Sequence, residues 1–151
     1  MLSKKGKYAL HAMILLTQGY RRGPMRIADL AERGKMPKKF LELILLGLKN
    51  QGLLSSKKGR GGGYALARPP ERITMGEVIR MVDGPLAPTP CVSKSAYRRC
   101  EECADERTCG IRLIMKEVRD SIAGILDNTT FADVVQRINK ARKRAGAGAK
   151  K

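Results

Sequence analysis

The sequence predicts a mainly α-helical fold with a small β-hairpin wing: a winged helix-turn-helix followed by a long C-terminal dimerisation helix. Two short helical patterns separated by a turn lead into a glycine-rich hairpin. Further on, an apolar stripe with alternating three- and four-residue steps marks a long helix with a narrow, coiled-coil-like seam. The chain of 151 residues has room for one domain and an appended pairing element. With four Tyr, two Phe and no Trp, its core must be built from Leu, Ile, Val, Ala and Met, which suits packed helices.

The first helix is expected over about Ser3 to Gln18, with Tyr8, Ala12, Leu15 and Leu16 on one face. Gly23-Pro24 punctuates the break that follows. A short helix from about Ile27 to Arg33 carries Ile27, Leu30 and Ala31, and Gly34 turns the chain. Pro37 then suits the first position of a third helix reaching about Gln51, with Phe40, Leu41, Ile44, Leu45 and Leu48 apolar and Gly52 as the stop. The hairpin runs out along Leu53 to Ser56, turns through Lys57 to Gly62, and returns along Gly63 to Leu66.

Beyond Pro69-Pro70, Thr74-Met-Gly-Glu77 is a capping-box pattern at the head of a short helix ending near Val82. The segment from Gly84 is broken by Pro85, Pro88 and Pro90, carries the cysteines, and ends at Cys109-Gly110. The long helix spans about Ile111 to Leu126, with Ile111, Ile114, Met115, Val118, Ile122, Ile125 and Leu126 apolar. Asn128 to Thr130 ends it and caps a last helix, about Phe131 to Ala141. The resulting layout is a winged helix-turn-helix DNA-binding domain over 1–83 and a cysteine-rich sensor loop over 84–110. The dimerisation and C-terminal helices occupy 111–139, and a basic, Gly/Ala-rich, disordered tail occupies 140–151.

Thirty-one Lys and Arg against fourteen Asp and Glu give a formal charge of +17, which favours a polyanionic partner and salt-dependent binding. RNA, a membrane surface or simple solvation of a basic tail remain alternatives on charge alone. The start Met-Leu-Ser-Lys-Lys-Gly lacks a signal-peptide pattern, and no apolar run is long enough to span a bilayer, so a cytoplasmic protein with no membrane partner is expected. In that compartment cysteines are reduced, which turns the reading away from a disulfide framework.

A recognition helix reads bases with its exposed N-terminal side chains. Lys38, Lys39, Glu42 and Leu43 occupy those positions, and the wing adds Lys57, Lys58 and Arg60. Lysine can contact phosphate or guanine, and glutamate can accept from cytosine N4. The glycines at 59, 61, 62 and 63 do not make a phosphate loop, because no Gly-Lys-Ser/Thr follows and the segment leads into a strand. They suit a tight wing tip with positive backbone angles.

Cys91-x8-Cys100-x2-Cys103-x5-Cys109 places four thiols within nineteen residues, enough to close around one metal centre. An iron–sulfur cluster (2Fe-2S or 4Fe-4S), zinc, and a reversible disulfide all fit that set. His11, the only histidine, reads as a packing residue of the first helix. No Ser/His/Asp set, carboxylate dyad or nucleotide fingerprint stands out, so an enzyme is not expected.

Several ordered motifs resemble the bacterial iron–sulfur winged-helix regulators of the IscR and NsrR type. They are Ser3-x2-Gly6-x-Tyr8-Ala9, Ile27-Ala-Asp-Leu-Ala-Glu32, Phe40-Leu-Glu42 and Leu48-x3-Gly52-Leu53, then Gly59-x-Gly-Gly-Gly-Tyr64, Gly76-Glu77-Val78-Ile79 and Ile125-Leu-Asp-Asn-Thr-Thr130. The resemblance reaches to about Asn139 and implies a homodimer on a pseudo-palindromic double-stranded DNA operator. The long helix would pair across the two-fold axis, and Glu42 would match a residue of sequence discrimination.

It also implies a cluster held by three cysteines and one other ligand. Cys103 and Cys109 match the last two cysteines, while either Cys91 or Cys100 could match the first. The IscR branch has a histidine where this chain has Arg112, and the NsrR branch an aspartate where it has Lys7. The expectation is a sequence-specific repressor or dual regulator sensing iron–sulfur, redox or nitric oxide status through Cys91, Cys100, Cys103 and Cys109. Zinc-binding and thiol-switch regulators are its alternatives. An electron carrier built on the cysteines and a nonspecific nucleic-acid binder are rivals from other classes.

Overall fold

A computed structural model describes residues 2–148, which form six helices and one two-stranded antiparallel hairpin. Helix α1 (Lys4–Gln18) opens on Ser3, whose hydroxyl accepts the Gly6 amide at 2.9 Å. Ala9, Ala12 and Met13 are wholly excluded from solvent, and the two alanines let neighbouring elements come close. Helices α2 (Ile27–Gly34), α3 (Lys38–Asn50), α4 (Met75–Asp83) and α6 (Phe131–Gly148) all pack on this central post. His11 is exposed, contrary to the packing role expected of it, because its neighbours Leu10 and Ala12 take the inward directions.

Lys35, in the left-handed conformation at φ 50°, closes α2 and turns the chain toward α3. Pro37 flanks α3 instead of being its first residue: its carbonyl accepts the Leu41 amide at 3.0 Å and so opens the helical ladder. Helix α3 buries Leu41, Ile44, Leu45 and Leu48, each contributing on the order of 1.5–3 kcal/mol through removal from water. Phe40 is half-buried, edge-on to Tyr8 with ring centroids 5.7 Å apart.

Strands β1 (Leu54–Lys57) and β2 (Gly63–Leu66) pair with Leu54 opposite Leu66 and Lys57 opposite Gly63. The first strand begins one residue later than the sequence pattern implies, because the Leu53 amide is held by the Leu48 carbonyl at 3.0 Å and its side chain is fully buried. Gly59, Gly61 and Gly63 have φ of 86°, 72° and 146°, so the wing tip uses glycine for its backbone, as expected. Met25 and Tyr64 exchange both backbone hydrogen bonds at 2.8 Å, adding a one-residue third strand.

The Thr74 hydroxyl caps α4 by accepting the Glu77 amide at 3.2 Å. Glu77 does not complete the expected reciprocal box; its carboxylate pairs with Arg68 at 2.6 Å. Helix α5 (Gly110–Asp127) then leaves the head, and α6 returns to it. The Met75 amide reaches the Thr129 carbonyl at 2.9 Å and the Phe131 amide reaches the Ile73 carbonyl at 3.0 Å, tying the starts of α4 and α6 together. Thr130 and Asp133 cap α6 reciprocally, and the Thr130 hydroxyl holds the Asp133 carboxyl below the usual carboxylate range.

Helix α6 continues to Gly148, well past the expected end near Ala141, so residues 140–148 are helix and not a disordered tail. Ala141 to Arg144 are all strong helix formers, and extending an established helix adds one backbone bond per residue. The tail expectation for 149–151 lies outside the described residues. No described helix is long and apolar enough to cross a membrane.

Candidate DNA-reading surface and cysteine centre

The buried stripe 41, 44, 45 and 48 of α3 forces Lys38, Lys39, Glu42, Leu43 and Leu46 to the opposite side, where all are exposed. Leu43 is 67% exposed. Lys57, Lys58 and Arg60 project from the hairpin and are exposed as well. Among the described residues none of these cations, nor Glu42, is engaged in an ion pair. A protruding helix N-terminus beside a basic hairpin can meet a base edge and phosphates together.

The cysteines lie on the other side of α4. Cys91 is buried in the tight turn Pro90–Val92, its sulfur 3.4 Å from the Thr89 hydroxyl. Cys100 is exposed, Cys103 and Cys109 are half-buried, and all four are free thiols. Cys109 stands at the N-terminal end of α5. The thiols are near enough to influence one another. Hydrogen bonding to Cys91 pushes the Cys100 thiol above its ordinary pKa, while partial burial and then the Cys109 neighbour do the same for Cys103. Among the described residues no three Cys, His, Asp or Glu side chains converge on one point. The donor set suits a cluster, zinc or disulfide chemistry, but in this arrangement it is not one closed cage.

Two arginines of α5 hold the Cys91 turn in place. Arg112 Nε donates to the Cys91 carbonyl at 3.3 Å, and Arg119 Nη1 donates to the Val92 carbonyl at 2.6 Å. Arg112 also lies 3.8 Å from Glu106, whose other bond is to the Tyr97 hydroxyl at 2.5 Å. At the far end of α5, Arg80 of α4 grips Asp127 with two bonds of 2.6 and 2.7 Å. That contact is close because Gly76 has no side chain: a Cβ there would collide with the Asp127 carboxylate. The sequence patterns did not single out Arg80, Arg119 or Asp127, and marked Arg112 only as a missing ligand. A usable signal existed, since Arg112, Met115, Arg119, Ala123 and Leu126 fall on one helical face, all half-buried here.

The flank of α5 adjoining that face is bare. Ile111, Ile114, Val118, Ile122 and Ile125 are exposed, Ile111 by 70% and Ile125 by 65%, and no residue of the helix is fully buried. The apolar positions expected to form one seam thus divide: Met115 and Leu126 turn inward, and five aliphatic side chains form an outer stripe. Such a contiguous stripe on a soluble helix marks an interaction surface.

Residues 2–137 match the family model Rrf2, described as iron-dependent transcriptional regulator. An rrf2-like HTH-type transcriptional regulator of Rhodobacter capsulatus is 41% identical over 146 residues, covering 95% of this chain and 97% of that protein. The Escherichia coli HTH-type transcriptional regulator IscR is 33% identical over 134 residues, covering 89% of this chain and 79% of its own. Among solved structures, CymR, the global cysteine regulator of Bacillus subtilis, superposes with a TM-score of 0.76 at 30% identity, covering 91% of this chain and 97% of that one. These relatives carry the names of regulators, not of enzymes.

Proposed function

The chain belongs to the Rrf2 family of transcriptional regulators, and from that premise we propose a homodimeric, sequence-specific regulator whose four cysteines form its sensor. Lys38, Lys39, Glu42 and Leu43 enter the major groove, while Lys57, Lys58 and Arg60 grip the phosphates or the minor groove beside it. The observation that carries this reading is the unpaired, exposed row on α3 set against a basic wing. Pairing along the outer stripe of α5 presents two such heads to a pseudo-palindromic operator. The regulator represses where that operator overlaps a promoter.

Cys91, Cys100, Cys103 and Cys109 would hold an iron–sulfur cluster, which when bound supplies a centre sensitive to oxygen, nitric oxide and iron supply. Arg112 cannot ligate metal, but its bond to the Cys91 carbonyl pins that turn to α5, close to where Cys109 begins the helix. Cys91 thereby stands in as the fourth donor. The turn at Cys91 is anchored to α5 and Cys109 heads that helix, so the segment between them would have to close for all four thiols to hold one centre. Because α5 carries those anchors, rearrangement of the loop shifts the pairing helix and with it the spacing of the two heads.

A second reading has its own support. Four free thiols on one short loop suit a reversible disulfide between two of them, formed with loss of two protons and two electrons to a peroxide or disulfide oxidant. Protein purified without oxygen separates the two. A brown absorption with matched iron and sulfide, lost together with signal-dependent operator binding in Cys91→Ser, supports the cluster. Colourless protein whose operator binding responds to peroxide and recovers with thiol supports the disulfides. Operator binding untouched by oxygen, nitric oxide, iron or peroxide in the wild type would sink both.

A further inference from the structure

One cationic surface lies outside the reading row, the wing and the cysteine loop. Between Val134 and Gly148, α6 carries Arg137, Lys140, Arg142, Lys143 and Arg144 and no carboxylate. Lys140 and Arg144 stand one turn apart, so like charges repel along the exposed helix unless an anion lies between them and their neighbours. Among the described residues none of these five is in an ion pair.

The helix also forms one wall of an open groove of about 480 Å³. Asn139 and Arg142 of α6, Arg33 of α2, and Gln18 and Arg22 line it, and Asp29 is its single carboxylate. Three arginines thus line the groove against one acid. The groove is not remote from the reading surface. Met25, in its floor, is the residue bonded at 2.8 Å in both directions to Tyr64, and Gly63 beside it approaches the Met25 carbonyl so closely that a Cβ would collide. The groove therefore borders the tip-proximal end of the wing, whose tip carries Lys58 and Arg60.

We propose that α6 and its groove with α2 bind the phosphate backbone of duplex DNA flanking the operator, lengthening the footprint beyond what α3 and the wing cover. This rests on the regulator reading above. The contacts are charge to phosphate, with no base edge involved, so they add affinity and salt dependence without adding sequence preference. A dimer carries the surface twice, once toward each end of the site.

The test uses the tightest duplex that the full wild-type chain recovers from a randomised pool, made at core length and again with about one helical turn added at each end. The variant Lys140→Ala/Arg142→Ala/Lys143→Ala/Arg144→Ala keeps strong helix formers throughout. Arg33→Gln/Arg142→Gln, which preserves bulk in the groove, guards against a folding defect. On the extended duplex the fourfold variant should bind about 10- to 100-fold more weakly near 0.1 M salt. Its log–log salt slope should be shallower by about 2 to 5, at about 0.9 for each phosphate that is no longer neutralised. The groove variant should show a smaller loss of the same sign. Both should match the wild type on the core duplex, and the cleavage footprint should shorten at both edges. Equal losses at the two lengths, no loss at either, or a wild type that prefers RNA or anionic vesicles to the extended duplex would overturn the proposal. A wild type that shows no sequence preference on the core duplex would overturn the regulator reading and this one together.

Discussion

The head and the cysteine-to-α5 segment are built on opposite terms. In the head, Leu30, Leu41, Leu45, Ile73, Val78 and Phe131 have no solvent exposure. In α5 no side chain is fully buried, and six large aliphatic residues are exposed. Likewise, α4 and α6 enter the head through reciprocal backbone bonds at Thr74 and Thr130, whereas the cysteine turn is held mainly by arginine side chains. One chain suffices to decide the head. The other region leaves an apolar stripe uncovered and its cysteine turn tied by side chains, so a densely packed unit is joined to an element of low local stability.

The contrast is broken most severely at Phe131. Its ring is fully buried where α6 rejoins the head, and Phe131→Ala should cost about 3–5 kcal/mol in urea unfolding. A loss under about 1 kcal/mol would mean that α6 is an appendage and not part of the head's core. Next comes the outer stripe. Val118→Asp/Ile122→Asp should convert the dimer to a monomer in sedimentation and weaken operator binding by about 100-fold or more, since one head loses the second half-site. The helical signal and thermal transition of the head should survive. Persistence of the dimer would move pairing to another face.

The smallest effect is at the hinge between the two regions. Hydrogen bonds from Arg80 hold the Asp127 carboxyl below the usual carboxylate range. A depressed carboxylate stabilises the fold above its unfolded pKa, and that contribution is lost as pH falls through the folded value, hence below about pH 4. Both side chains are about two-fifths exposed, so solvent screening limits the effect to less than about 1 kcal/mol at neutral pH. Asp127→Asn should flatten the acid limb of the stability profile and quicken amide exchange in α5. An unchanged acid limb would show that the contact does not couple α5 to the head.

The legible parts of the molecule were those in which a short stretch carries its own instruction. The α3 stripe at 41, 44, 45 and 48 allowed one inward face, and with it the exposure of Lys38, Lys39, Glu42 and Leu43. The wing glycines required a backbone that other residues resist, and three of them adopt it. His11 was misplaced because a single polar residue on an amphipathic helix carries little phase information. The end of α6 was missed because its Gly/Ala-rich basic composition also fits a disordered tail.

By itself, then, the sequence determined the winged head, the row of side chains on its reading helix, and a chain with four cysteines ahead of a long apolar-striped helix. Periodicity, turn chemistry and capping act over a few residues, and such signals survive in one dimension. Only the tertiary structure decided that Arg112 and Arg119 bind the Cys91 turn, and that Arg22, Arg33 and Arg142 line one groove. Arg119 lies 27 residues from Val92, and Asp127 lies 47 from Arg80. No local propensity encodes such partners: they are chosen when packing of α4, α5 and α6 brings distant charges and carbonyls within reach.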